Sequence, residues 1–260
     1  MTLMFIVPVA FASNSSGFEV SLTSNTSAYA SANSSTGLMI PLYIYPGTDW
    51  SKLITIRNGN PDVPIIAIIN PNNGVGTVRD PNYVNGIKAL KSAGIMVIGY
   101  VWTDYGAKSI SSATTEINKY KSWYSVSGIF LDSMSNTPGK ENYYKTLSDY
   151  AKSKGLKYVV GNPGADTQQS YIGTADTLNI YEGAGVPDVS YFGGWHSAYD
   201  KQHFSFIAYG TTNLDMQYIK DISNYVGLLY VTDDGSPNPF DSLPTYLNNL
   251  VEALHEANSS

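Results

Sequence analysis

The sequence contains no cysteine, so it can build neither a disulfide framework nor a thiolate metal site. Its histidines, His196, His203 and His255, lack both H-E-x-x-H and H-x-H spacing. We therefore expect no metal and no cofactor. No G-x-S-x-G elbow is present, which argues against a serine hydrolase, and "NNGVGTV" lacks the third glycine of a dinucleotide fingerprint. Charge is scarce as well. Only 14% of residues are charged, and 15 basic residues stand against 21 acidic ones for a net charge of -6. The basic residues form no cluster along the chain, so no footprint for nucleic acid is expected. Long apolar runs are missing too. Beyond the N-terminus no segment approaches the roughly 18 apolar residues of a membrane span.

The N-terminus reads "MTLMFIVPVAFASNSS". Residues 3 to 12 are apolar, and Ala10-Phe11-Ala12 has the small-x-small form of a cleavage site. Residues 1–12 are read as a signal peptide without a charged n-region; the alternative is an apolar N-terminal strand. Residues 13–37 are dominated by Ser, Thr and Asn and read as a flexible segment, because such a composition buries too little to offset chain entropy. Asn14, Asn25 and Asn33 each open an N-x-[ST] acceptor sequence there. These features point to a secreted or cell-surface protein with no stable membrane span once the signal is removed. Nothing sets an oligomeric state.

From Leu38 to residue 257 the pattern is that of one domain. Apolar runs at 38–46, 64–71, 96–103, 128–133, 157–163, 177–183, 204–210 and 227–234 read as strands. Several are continuous rather than alternating, as in parallel strands covered on both faces. Helical stripes lie between them. Asp80-Pro81 caps one that carries Val84, Ile87 and Leu90. Ile110, Ala113, Ile117 and Tyr120 form a second, and Tyr143, Leu147, Tyr150 and Ala151 a third. Leu243, Leu247, Leu250 and Leu254 form the last, with Pro244 near its start. The helices after the fifth and sixth strands are rudimentary. Eight such units predict an α/β fold of the (β/α)8 TIM-barrel type, with a doubly wound open sheet as the alternative.

In a barrel the chemistry gathers where the strands end. The residues there are Tyr43, Tyr45, Asn70, Trp102, Thr103, Asp104, Asp132, Asn162, Glu182, Tyr209, Asp233 and Asp234, with Tyr105 close behind. Acids, amides and aromatics dominate, and Lys and Arg are absent. That lining suits a neutral or cationic polyhydroxylated ligand: sugar rings offer C–H faces to aromatics and hydroxyls to amides and acids. A phosphorylated ligand would want basic groups or a glycine nest. Asp132 and Glu182 are candidates for the paired carboxylates of glycoside hydrolysis. Two strands apart, their backbones would be roughly 10 Å from each other and their side chains about 5–9 Å. Tyr43, Tyr45, Asn70, Trp102, Asp104, Tyr105, Asn162, Tyr209 and Asp233 are candidates for substrate binding. Asp233-Asp234-Gly235 is a pattern more often found as a turn than as a site. Strand parity raises a difficulty. If Glu182 points inward, so do Ile180 and Leu178, and Asn179 faces the helices unless the strand bulges.

The ordered motifs "PLYIYPG", "IAIINPNNGVG", "DPNYVNGIKALKSAGIMVIGYVWTDYG", "YKSWYSVSGIFLD", "NPG" and "YVTDD" through "NPFDSLPTYLNNL" resemble the spherulin-4-like family, which includes enzymes of glycoside hydrolase family 135. The resemblance runs from about Leu38 to Leu250. It implies a (β/α)8 barrel and cleavage of α-1,4 linkages in galactosaminogalactan, a polysaccharide of galactosamine and N-acetylgalactosamine. It also implies Asp132 and Glu182 as the catalytic acids. The family's second acid beside the first falls on Ser133, which cannot act as one. Strand alternation would let only one of positions 132 and 133 point into the mouth.

Overall fold

The computed structural model describes residues 35–259. The expected signal peptide at 1–12 and most of the expected flexible segment at 13–37 lie outside these residues. Eight parallel strands close into a barrel in chain order, with β1 beside β8 at the seam. They are β1 (Gly37–Leu42), β2 (Ile65–Ile69), β3 (Met96–Trp102), β4 (Gly128–Asp132), β5 (Tyr158–Gly161), β6 (Thr177–Ala184), β7 (Phe204–Tyr209) and β8 (Leu228–Val231). β1 and β2 are buried at every position, because the barrel core lies on one face and helices on the other. The first strand starts slightly earlier than the sequence pattern places it. Gly37 already belongs to β1, and buried Thr36 donates its hydroxyl to the Ser223 and Val226 carbonyls while Asn258 clamps its backbone.

The outer layer is α1 (Thr48–Gly59), α2 (Pro81–Ser92), α3 (Ile110–Lys119), α4 (Glu141–Ser153), α5 (Met216–Ile222) and α6 (Leu247–Asn258). The expected cap of α2 is present: Asp80 accepts from the Asn82 amide at 2.7 Å, with Pro81 in the first turn. Two stripes are shifted from the sequence reading. In α4 the fully buried tyrosine is Tyr144, not Tyr143 or Tyr150, because the Tyr144 hydroxyl accepts from the Ser135 amide. The last helix starts at Leu247, so Leu243 and Pro244 precede it. Asp233 accepts from the Thr245 amide and holds that segment in a turn. After β5 and β6 no α-helix forms. Short 3₁₀ turns take its place, packed by rings such as Phe192 against Phe206 and Trp195 against Phe204.

Glycine is required where β4 enters the barrel. A Cβ on Gly128 would stand 2.1 Å from the Tyr158 carbonyl oxygen and 2.9 Å from Ile98 Cγ2. Gly128→Ala must therefore push β4 from β5 at the base of the strand that carries Asp132. We expect a loss of about 1–3 kcal/mol, read as a lower denaturation midpoint at unchanged m-value. An unchanged midpoint would show that the strands part freely there.

Candidate active site

Asp132 ends β4, Glu182 lies in the last half of β6, and Asn162 directly follows β5 between them. The main chain of Asn162 continues the ladder: its amide donates to Leu131 O, and its carbonyl accepts from Met134 N, both at 2.9 Å. So fixed, the side-chain nitrogen of Asn162 donates to Asp132 Oδ1 and to Glu182 Oε2, each at 2.7 Å. The two carboxylate oxygens are therefore no further apart than twice that length. Asn162 Oδ1 accepts from Asn179 Nδ2 at 2.8 Å, and Asn179 Oδ1 accepts from the Ser205 hydroxyl at 3.1 Å. On the other flank the Tyr100 hydroxyl donates to Asp132 Oδ2 at 2.7 Å. One chain of hydrogen bonds thus runs from Tyr100 through Asp132 and Asn162 to Glu182, across four strands.

The parity difficulty is resolved by a bulge. Asn179 pairs with Ser205 and Glu182 with Ile207, so the register slips around Ile180. The extra residue lets Asn179 and Glu182, three apart, share the inner face, which an unbroken strand cannot do. Leu178 and Ile180 are therefore not the inward companions of Glu182 that plain alternation requires. The loop after β5 stitches the bulge, since Gly164 N donates to Asn179 O and Glu182 N to Gly164 O.

Burial is the main force on Glu182, and it raises the carboxyl from its ordinary 4.5 to about 7. The Asn162 bond opposes the rise and the charge of Asp132 adds to it. Tyr100 is pushed far up by burial and then by Asp132, so its hydroxyl keeps its proton and remains a donor. Tyr43 is raised by burial and by the charges of Asp132 and Glu182, which places it within reach of both.

Ser133 departs from the alternation argument. It lies outside β4 with φ 49°, and this left-handed turn brings Oγ to 3.4 Å from Asp132 Oδ2. Positions 132 and 133 therefore both reach the site.

The other candidates divide. Tyr43 packs edge-on against Tyr100 and Phe240, and Tyr209 against Phe240, so these rings wall the mouth. Trp102 pairs in register with Asp132 and is 43% exposed; Tyr105 is 63% exposed. Asn162 spends both hydrogens on the carboxylates, which makes it their spacer rather than a ligand contact. Tyr45 stands apart, bonded to Asp80 and Asn82. Asn70 accepts from the Gly74 amide and orders its own loop. The charge of Asp104 is felt at the Tyr143 hydroxyl, which burial raises first. Asp233 is engaged by Thr245 and Asp234 by Ser242, so that pair braces the β8 loop as a turn. Tyr100 and Asn179 were missed in the sequence. Two-residue alternation back from Trp102 could have found Tyr100, but nothing local signals the bulge that turns Asn179 inward.

Among the described residues no group of three or more His, Cys, Asp or Glu could hold a metal, and no helix is long and apolar enough to cross a membrane. Some basic residues, scattered in sequence, gather in space: Lys91, Lys121 and Lys157 line a cavity of about 460 Å³ at the opposite end of the barrel.

The profile of spherulation-specific family 4 matches residues 37–254. This chain belongs to that family. It is 33% identical over 237 residues to Spherulin-4 of Physarum polycephalum, covering 85% of this chain and 70% of that protein. The fold resembles the crystal structure of Aspergillus clavatus Sph3 in complex with GalNAc, with a TM-score of 0.77 at 23% identity over 85% of this chain and 98% of that one. The YdjI aldolase of Escherichia coli K12 shares the barrel more distantly, with a TM-score of 0.53 at 12% identity over 89% of this chain and 91% of that one.

Proposed function

We propose that this family member is a secreted or cell-surface glycoside hydrolase that cleaves α-1,4-linked polysaccharide containing galactosamine or N-acetylgalactosamine. One observation carries the reading: two carboxylates, from β4 and β6, meet on one amide nitrogen, and burial raises Glu182 to about 7. A carboxyl raised to near neutrality can act as the general acid beside a second carboxylate that serves as nucleophile. Protonated Glu182 gives its proton to the glycosidic oxygen as the C1–O bond breaks. Asp132, its charge supported by Tyr100 and Asn162, attacks C1. Ionised Glu182 then takes a proton from water, whose oxygen displaces Asp132. Their close approach favours this retaining course, since retaining pairs lie about 5–5.5 Å apart and inverting pairs about 6.5–9.5 Å. The GalNAc in the Sph3 crystal structure supports the choice of sugar.

Ser133 favours a second reading. It stands at the site where the resemblance places another acid, and a protein that needs that acid would bind glycan without cutting it. One experiment decides between them. The protein is incubated with a panel of galactosamine-containing polymers, and new reducing ends and polymer binding are both measured. Release from at least one polymer is expected. Binding without release would establish the second reading, and neither would sink both.

A further inference from the structure

The exposed apolar side chains are unevenly placed. Among the described residues the large ones are Tyr45, Val78, Trp102, Tyr105, Val186 and Tyr225. Trp102 closes β3, and Tyr45, Val78, Tyr105 and Val186 lie in loops that follow strands, all on the face that carries Asp132 and Glu182; Tyr225 does not. Exposed apolar groups gathered on one face mark a binding surface rather than ordinary scatter. Trp102 and Tyr105 stand nearest the chemistry. Paired residues of parallel strands put their side chains on the same side, so Trp102 sits over the mouth beside Asp132, one step outward from Tyr100.

The backbone beneath them is strained and braced. Asp104, Tyr105 and Ser133 all have positive φ, at 51°, 52° and 49°, a region that side chains with a Cβ disfavour. Such outliers persist only where their surroundings hold them, and they collect at ligand sites. Here the hold is explicit. Tyr105 N donates to Ser133 O at 2.8 Å, Thr103 N donates to Asp132 O at 2.9 Å, and the Thr103 hydroxyl reaches both carbonyls. Lys140 closes the turn on the Gly106 carbonyl. The same bonds that fix the backbone at Asp132 thus fix the backbone that carries two exposed aromatic side chains next to it.

We propose that Trp102 and Tyr105 form a rigid aromatic shelf. It binds the sugar unit next outward from the two joined by the scissile bond, on the Asp132 side, and selects long chains over short ones. This deepens the hydrolytic role proposed for Asp132 and Glu182 and rests on it. Rigid aromatics offer the apolar face of a pyranose a large contact at small entropic cost.

The test compares α-1,4-linked poly-N-acetylgalactosamine with its disaccharide, using the full chain. In Trp102→Ala and Tyr105→Ala the polymer-to-disaccharide ratio of kcat/KM should fall about tenfold, mainly through KM, with Trp102→Phe recovering part of the loss. Tyr225→Ala, exposed on the opposite side, should leave the ratio unchanged. Equal losses on both substrates, or an unchanged ratio in both variants, would overturn the shelf. Calorimetric binding of the polymer separates this inference from the hydrolytic reading. If no protein cleaves but Trp102→Ala binds more weakly than the parent, the shelf stands and hydrolysis falls. Equal binding sinks the shelf.

Discussion

Glu182→Gln should lower reducing-end release by about 10²–10⁴-fold and, above neutral pH, make the protein more stable than its parent. Both effects come from the same burial. Glutamine keeps an oxygen that can accept from Asn162, so the geometry of the pair survives, but it has no proton to give the leaving group. The stability effect has a definite sign. The folded carboxyl titrates near 7 and its ordinary value is 4.5. Below about pH 4.5 both states are protonated and the group contributes no difference. As pH rises the unfolded chain ionises first, so native stability declines until the folded group has also ionised, just above pH 7. The full deficit is up to about 3 kcal/mol. Glutamine never ionises and escapes it. Melting of parent and variant should therefore coincide near pH 4, and the variant should melt several degrees higher at pH 8. Activity of the parent should fall as pH rises through 7, as acid catalysis by Glu182 requires. A variant that still releases reducing ends would remove Glu182 from the mechanism. Coincident melting at pH 8 would mean that its burial is relieved by solvent.

The contrast between the strands and the mouth explains what could be read in the sequence. All eight strands were visible, because a parallel barrel asks only that each run be apolar on both faces, and runs such as IIAII satisfy that locally. Asp132 was visible because a carboxylate closing such a run stands out from its neighbours. Features that depend on an inserted residue or a turn were not. The bulge at Ile180 reverses the facing of Asn179, and the left-handed Ser133 lies outside the strand alternation that seemed to govern it. Asp233 failed as a ligand candidate for another reason. Its partner, Thr245, is twelve residues on, and composition at a strand end does not tell a loop brace from a binding group. Tyr100 was hidden because a tyrosine within an apolar run reads as core until its hydroxyl is seen on Asp132.

Asn162→Asp tests the spacer itself and should produce the second large effect. The change preserves shape but replaces a nitrogen that donates to both acids with an oxygen that, once ionised, can only accept. Three carboxylates would then share the space in which one amide now separates two. They cannot all ionise there, so at least one holds its proton to higher pH than it does in the unfolded chain. Stability should be near the parent's in acid and fall below it as pH rises past neutrality, the opposite of Glu182→Gln. Buried Asn179 also donates to the Asn162 oxygen, and an aspartate oxygen can still accept that bond, so the loss should track charge and not the missing amide. Reducing-end release should drop about 10²-fold through displacement of the pair. What survives should hold to higher pH than in the parent, because both the lost Asn162 bond and the added charge strengthen the grip of Glu182 on its proton. If the alkaline limb stayed in place while the rate fell, Asn162 would be a structural support with no part in setting the acid.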